Sequence, residues 1–253
     1  MVTDSKLKQI TTYLDGYLGA AAVPEAPAVN GLQVENSGTV TRIAAAVDAC
    51  EATIAMAAER GANLLIVHHG LFWGNPRPLV GPAYRRIAAL TRHDIAVYAS
   101  HLPLDRHLEV GNNPVLARML GLKGGGPFGE FDGHTIGVWG ECDVSRDAFV
   151  RALTTALGVA PRVLGFGPTQ VRRVGIVTGS GGGIIPQAAA AGLDTYVTGE
   201  GQHWTFFDAE ELRINVIYAG HYATETVGVR ALAEHVAARF GVPWEFLDHP
   251  TGM

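Results

Sequence analysis

The sequence predicts an α/β protein made of two related α/β domains, the product of an internal duplication. Three observations carry this. Short apolar stretches of strand length alternate with helical stretches, the pattern of βα units with largely parallel pairing. Residues 58–73 (AERGANLLIVHHGLFW) align without gaps to residues 189–204 (AAAGLDTYVTGEGQHW). Gly61 falls on Gly192, Gly70 on Gly201, Trp73 on Trp204 and His69 on Glu200. Further along, Tyr98-Ala99-Ser100-His101-Leu102-Pro103-Leu104-Asp105 matches Tyr218-Ala219-Gly220-His221-Tyr222-Ala223-Thr224-Glu225. Each copy reads aromatic, alanine, small residue, histidine, then a carboxylate four residues on. Self-similarity of this kind marks a repeated structural unit.

The elements follow in order. Residues 42–47 read as a strand, 51–60 as a helix, 63–67 as a buried strand and 82–92 as a helix. Residues 95–99 form the next strand, with a helix near 112–120. In the second half strands fall near 134–139, 173–177, 195–198 and 214–219. Helices fall near 145–157, 183–191 and 223–239, and a short strand near 244–248 ends the pattern. The stretch 121–133 (GLKGGGPFGEFDG) is glycine-rich and reads as a linker. A boundary near residue 127 gives a first lobe over 1–127 and a second over 128–253. Between the matched tryptophan and tyrosine the first copy is 11 residues longer, and the excess falls around Gly74-Asn75-Pro76-Arg77-Pro78.

Composition narrows the function classes. A chain of 253 residues is long enough to bury a substantial core. Its net charge of −5 gives no electrostatic footprint for nucleic acid or an anionic membrane, although Arg172-Arg173 could form a local basic spot. No apolar run approaches the ~20 residues that span a bilayer. The opening MVTDSKLKQI lacks the apolar core of a secretory signal. Cys50 and Cys142 have no CxxC spacing and read as buried or idle thiols, which points to a reducing, cytoplasmic setting.

The residues with chemistry follow strand ends, where ligands bind in parallel α/β sheets. His68 and His69 end NLLIV and precede Gly70. Neighbours on a regular strand face opposite ways, but a twist at the strand end brings both imidazoles to one cavity. His101 and Asp105 follow IAVYA, and Pro103 between them predicts a loop. His221 and Glu225 follow NVIYAG and share a helix face if the last helix starts early enough. They can then chelate one ion or bridge two. Nitrogen and oxygen donors without thiolate suit Zn, Mn or Fe(II), and with more oxygen Mg. Glu200 and His203 read either as a cap for a helix starting near 203 or as a proton shuttle or orienter of a ligand. Gly179-Ser180-Gly181-Gly182-Gly183 reads as a tight strand-to-helix turn, or as a loop offering N–H groups to phosphate. Trp73 and Trp204 are packing elements or the walls of a cavity mouth.

Asn30-Gly31-Leu32-Gln33-Val34, Val67-His68-His69-Gly70-Leu71-Phe72-Trp73, His101-Leu102-Pro103-Leu104-Asp105, Thr198-Gly199-Glu200 and Ala219-Gly220-His221-Tyr222-Ala223-Thr224-Glu225 resemble the Nif-three-like dinuclear metal-centre proteins. Many members carry the name GTP cyclohydrolase 1 type 2 homologue. The resemblance covers essentially the whole chain, which is short for the family and has no room for the domain that longer members insert between the halves. It implies two α/β domains flanking a two-metal site, and a ring-shaped homohexamer. By motif the metal ligands are His68, His69, Asp105, His221 and Glu225, with Glu225 bridging. The repeat alone also offers His101 as a ligand; the resemblance sets His101, Glu200 and His203 beside the site, where one of them would shuttle a proton in the expected hydrolase.

The expected function is that of a metal-dependent hydrolase holding two divalent ions per chain. Its substrate would be a nucleotide or other small phosphorylated compound, with GTP ring opening as the named case. The rival is a non-catalytic metal-binding regulator or scaffold assembled as a ring.

Overall fold

The computed structural model describes residues 4–25 and 28–253. In chain order the elements are α1 (Lys6–Leu18), β1 (Gly31–Val34), β2 (Ile43–Asp48), α2 (Glu51–Glu59), β3 (Leu64–His69), α3 (Pro82–Arg92) and β4 (Ala96–Ala99). Next come α4 (Leu102–Asp105), α5 (Asn112–Met119), β5 (Lys123–Phe131), β6 (His134–Ser145), α6 (Arg146–Leu157), β7 (Arg162–Gly165) and β8 (Gln170–Val177). The chain finishes with α7 (Ile185–Ala190), β9 (Thr195–Thr198), α8 (Thr205–Glu211), β10 (Asn215–Tyr218), α9 (His221–Phe240) and β11 (Trp244–Phe246). They pack as two compact units. One runs to Leu104 and takes back Val229–His249; the other comprises Asp105–Gly228 and Pro250–Met253.

The first unit holds a five-stranded sheet of order β1-β4-β3-β2-β11. β11, β2, β3 and β4 are parallel, and β1 is antiparallel to β4. Buried on both faces, β2 is apolar up to Asp48 and β3 up to His68, as central parallel strands tend to be. Ile54, Leu65, Val67, Leu90, Ile95, Val97 and Leu247 are central to the core.

The second unit holds a six-stranded sheet of order β5-β6-β8-β9-β10-β7. β8, β9 and β10 are parallel, β7 is antiparallel to β10, and β6 is antiparallel to β8. Phe149, Leu153, Val171, Val174, Ile176, Val197 and Ile217 fill its core.

The duplication reaches further than the sequence match. Each unit runs helix, antiparallel edge strand, then three parallel strands linked by helices. α1 and β1 correspond to α6 and β7; of these four elements the sequence pattern marks only α6. Ser5 caps α1 by accepting from the Lys8 amide at 3.3 Å, and Ser145 caps α6 by accepting from the Ala148 amide at 3.3 Å. The matched glycines Gly61 and Gly192 end α2 and α7 with φ of 66° and 68°, a left-handed turn that a Cβ would oppose.

Two local expectations are corrected. The glycine-rich stretch is no linker: Lys123–Phe131 is a strand paired with β6. Its glycines serve a register shift between Lys123 and Gly126, where Gly125 lies so close to the Trp139 carbonyl that a Cβ would overlap it. His101-Leu102-Pro103-Leu104-Asp105 is no open loop either, because Leu102–Asp105 forms a single helical turn. Proline fits there because a first-turn N–H has no partner inside the helix.

Candidate metal centre

The predicted donors fall into two sets, one in each unit, all at the carboxyl ends of parallel strands or just beyond. In the first unit β3 ends in His68 and His69. Their rings stay close, with centroids 4.6 Å apart, and His101, just past β4, lies 4.9 Å from His68 and 5.5 Å from His69. One ligand atom from each of the three lies within 4.8 Å of the others. His68 is fully buried and its Nδ1 is 2.9 Å from the Ser100 carbonyl. Nδ1 of His69 is 2.8 Å from Asp48 Oδ1, a residue paired with it in the β2–β3 register. His101 has its own carboxylate: Nδ1 lies 3.1 Å from Glu25 Oε1, while Asn30 accepts from the His101 amide at 2.8 Å.

In the second unit α9 begins at His221, early enough to set His221 and Glu225 on one face, with Nε2 and Oε2 3.2 Å apart. Nδ1 of His221 is 2.9 Å from Glu200 Oε1. Glu200 therefore orients the imidazole; no side chain caps α8, whose N-cap is Trp204. The Glu225 carboxylate, then Glu200, raise the His221 pKa to about 9 against the opposing effect of burial. His203 is exposed, with its ring edge-on to Phe207 at 5.7 Å, and among the described residues it makes no hydrogen bond to Glu200 or His221.

The buried Asp105 carboxylate accepts from the Asn112 amide at 2.8 Å and from the Thr178 hydroxyl at 3.3 Å. Asn113 braces the same corner: it donates to the carbonyls of Asp105 at 3.2 Å and Ile136 at 2.8 Å, and accepts from the Thr178 amide at 2.7 Å.

The glycine turn after β8 packs against this cluster. Gly179 has a φ of +67°, and a Cβ there would overlap Glu225 Oε1 and come within 3.4 Å of His221 Nε2. Its amide donates to the Thr224 hydroxyl at 3.0 Å, and that of Gly181 to the Thr198 hydroxyl at 2.9 Å. Two of the N–H groups that a phosphate loop would offer are thus already engaged, which favours the tight-turn reading of these glycines.

The chemistry fits a metal. Nδ1 of His68, His69 and His221 is held by a carbonyl or carboxylate, which sets ring orientation and leaves Nε2 as the nitrogen a metal would take. The donors are nitrogen and oxygen, with no thiolate among them. Sequence reasoning passes over Asp48, Glu25, Asn112, Asn113 and Thr178 as parts of the site, and meets Asn30 only inside a motif without giving it a role. Asp48 carries one usable signal, a carboxylate at the end of an apolar strand beside the strand of His69.

No helix of the described residues is long and apolar enough to cross a membrane. Residues 5–251 match the family described as Duf34/NIF3 (NGG1p interacting factor 3). A GTP cyclohydrolase 1 type 2 homolog of Deinococcus radiodurans is 46% identical over 247 residues, 97% of this chain and 94% of its own. The protein of that name from Halobacterium salinarum is 48% identical over 232 residues, 89% and 91% of the two chains. The crystal structure of TTHA1606 from Thermus thermophilus matches with a TM-score of 0.90 at 47% identity, covering 97% of this chain and 99% of that one. Reduced HcgD from Methanocaldococcus jannaschii, 24% identical, shares the fold with a TM-score of 0.86 over 98% of this chain and all of its own. Fold, motifs and relatives agree over nearly the full length, and the chain belongs to the Duf34/NIF3 family.

Proposed function

We propose that His68 and His69 of the first unit and Asp105, His221 and Glu225 of the second together hold two divalent metal ions, and that this centre hydrolyses a nucleotide or another small phosphorylated compound. The observation that carries the reading is the anchoring of His68, His69 and His221 through Nδ1. Two such ions, when bound, activate water and polarise the bond it attacks. The chain's own groups supply orientation and proton transfer. Asp48, the Ser100 carbonyl and Glu200 fix the imidazoles, and Glu225 would supply its carboxylate to the ions as a shared ligand. The His101–Glu25 pair and Glu200 are placed to take and return a proton, with His203 as a further carrier toward solvent. The metal is one of Zn, Fe, Mn or Mg, the assembly is a homohexameric ring, and the setting is cytoplasmic, in keeping with the free thiols of Cys50 and Cys142.

Elemental analysis of the purified protein should return two equivalents of metal per chain. A panel of nucleotides and phosphoesters, GTP first because of the relatives' name, should give turnover that Glu225→Gln abolishes. Less than stoichiometric metal would sink the reading. Two equivalents with no turnover on any compound would favour the ring scaffold. Light scattering should give a mass near that of six chains.

Metal and proton compete for His221. A ligand imidazole must be neutral, whereas Glu225 and Glu200 keep this one protonated up to about 9 in the metal-free chain. Metal binding between pH 7 and 8 should therefore release a proton from His221. Affinity should rise by about tenfold per pH unit toward pH 9, beyond the ordinary histidine range. The linked stability has the opposite sign. The gain from protonated His221 is complete below its unfolded value of 6.5 and disappears as pH rises through about 9. Proton release on metal addition, measured in a weakly buffered indicator solution, checks the first effect, and a pH series of melting curves without metal checks the second.

A further inference from the structure

We infer that the cavity beside His69 binds a small ligand with an anionic group and a flat apolar body, the anion held by Arg86. This deepens the reading above and takes from it only the role of His69 as a metal ligand.

The cavity lies within the first unit and has a volume of about 720 Å³, the size of a small-molecule site. His69 and Asp48 stand on its wall, with Trp73, Arg77, Leu79 and Arg86. The Trp73 ring is fixed, since its Nε1 donates to the Gly70 carbonyl at 2.8 Å. It provides a rigid flat face.

The two neighbouring arginines of α3 are used differently. Arg85 makes two bonds to Glu51, at 2.9 and 2.8 Å. The Nε of Arg86 is buried and has no hydrogen-bond acceptor among the described residues. A buried guanidinium N–H without an acceptor is rare, and the partner it suits is a planar or tetrahedral oxyanion. Among the described residues Asp48 is the only carboxylate on the cavity wall, and it is bonded to His69 Nδ1.

The duplication shows that the fold itself does not require this cavity. Its outer wall includes Gly74-Asn75-Pro76-Arg77-Pro78, part of the stretch between Trp73 and α3 that has no counterpart after Trp204. In the second copy Trp204 leads directly into α8 and lies 49% exposed. The same tryptophan is thus roofed in one copy and bare in the other. The Arg86 guanidinium, the Trp73 ring and the His69 imidazole line one space, which suits a phosphorylated or phosphonylated ring compound oriented with its anion at Arg86.

Calorimetry on the metal-loaded protein tests this with phenylphosphonate, which is not hydrolysed, against methylphosphonate and benzyl alcohol. Phenylphosphonate should bind at least tenfold more tightly than either fragment. Arg86→Gln should weaken it by about tenfold or more, and Arg86→Lys by less, because it keeps charge but loses the fork. Metal per chain should not change in either variant. Wild-type affinity in Arg86→Gln, or equal binding of phenylphosphonate and its fragments, would overturn the inference. A protein that holds no metal yet loses phenylphosphonate in Arg86→Gln would leave the cavity standing and remove the metal centre.

Discussion

Gly179→Ala should strip metal from the protein and destabilise it, although the change adds a single methyl group. The residue sits at φ +67°, where an L side chain costs about 1–2 kcal/mol. The new Cβ also has nowhere to go. It would overlap Glu225 Oε1 and crowd His221 Nε2 at 3.4 Å, so the carboxylate must swing away or the turn must open. Opening the turn would break the bond from the Gly179 amide to Thr224, which fixes the start of α9. Displacing Glu225 removes the ligand proposed to span both ions, and a drop in metal affinity of about 100-fold or more follows if both depend on it. Elemental analysis after dialysis, with a melting curve in parallel, checks both effects. Full metal content in a variant as stable as wild type would contradict the role given to Glu225.

The second large effect belongs to a residue that touches no metal. Asn112→Ala should destabilise the protein by about 3 kcal/mol or more. Asn112 is fully buried and bonded at both ends of its side-chain amide: it donates to Asp105 at 2.8 Å and accepts from the backbone amide of Gly228 at 2.8 Å. Truncation leaves the buried Asp105 carboxylate short of a donor and removes the Asn112 acceptor from the Gly228 amide of α9. Gly228 has no Cβ to fill the gap; one built there would clash with Asn112. Asn112→Asp separates the causes. It preserves the volume but presents a second carboxylate to Asp105, so it should destabilise comparably if hydrogen bonding dominates, and far less if the cavity does. Chemical denaturation of both variants measures this.

These residues show where sequence reading succeeds and where it stops. NLLIVHHG is legible because a fully buried parallel strand is a continuous apolar run and its polar end stands out. HLPLD and HYATE are legible as a pair, since duplication repeats spacing. Pro103 misleads because its usual meaning, a break, does not apply in a helix's first turn. Stretch 121–133 misleads because glycines that allow close strand approach have the composition of a linker. α1 escapes the strand pattern although Leu7, Ile10, Leu14 and Leu18 are buried at helical spacing. Asn112, Asn113 and Glu25 have no period and no motif. Their meaning depends on which neighbour the fold brings within hydrogen-bond reach, and no single-sequence pattern encodes that.

The position of β11 bears on how the chain matures. This strand lies along β2, and the backbone links Ile43 to Pro243 and Leu247 to Ala45. On the ribosome, β2 therefore emerges long before its own outermost partner strand. Until then β2, apolar along nearly its whole length, is an open edge able to pair with another nascent chain. The lobe synthesised first is thus the one completed last, and the interval between the two is its period of greatest exposure to aggregation.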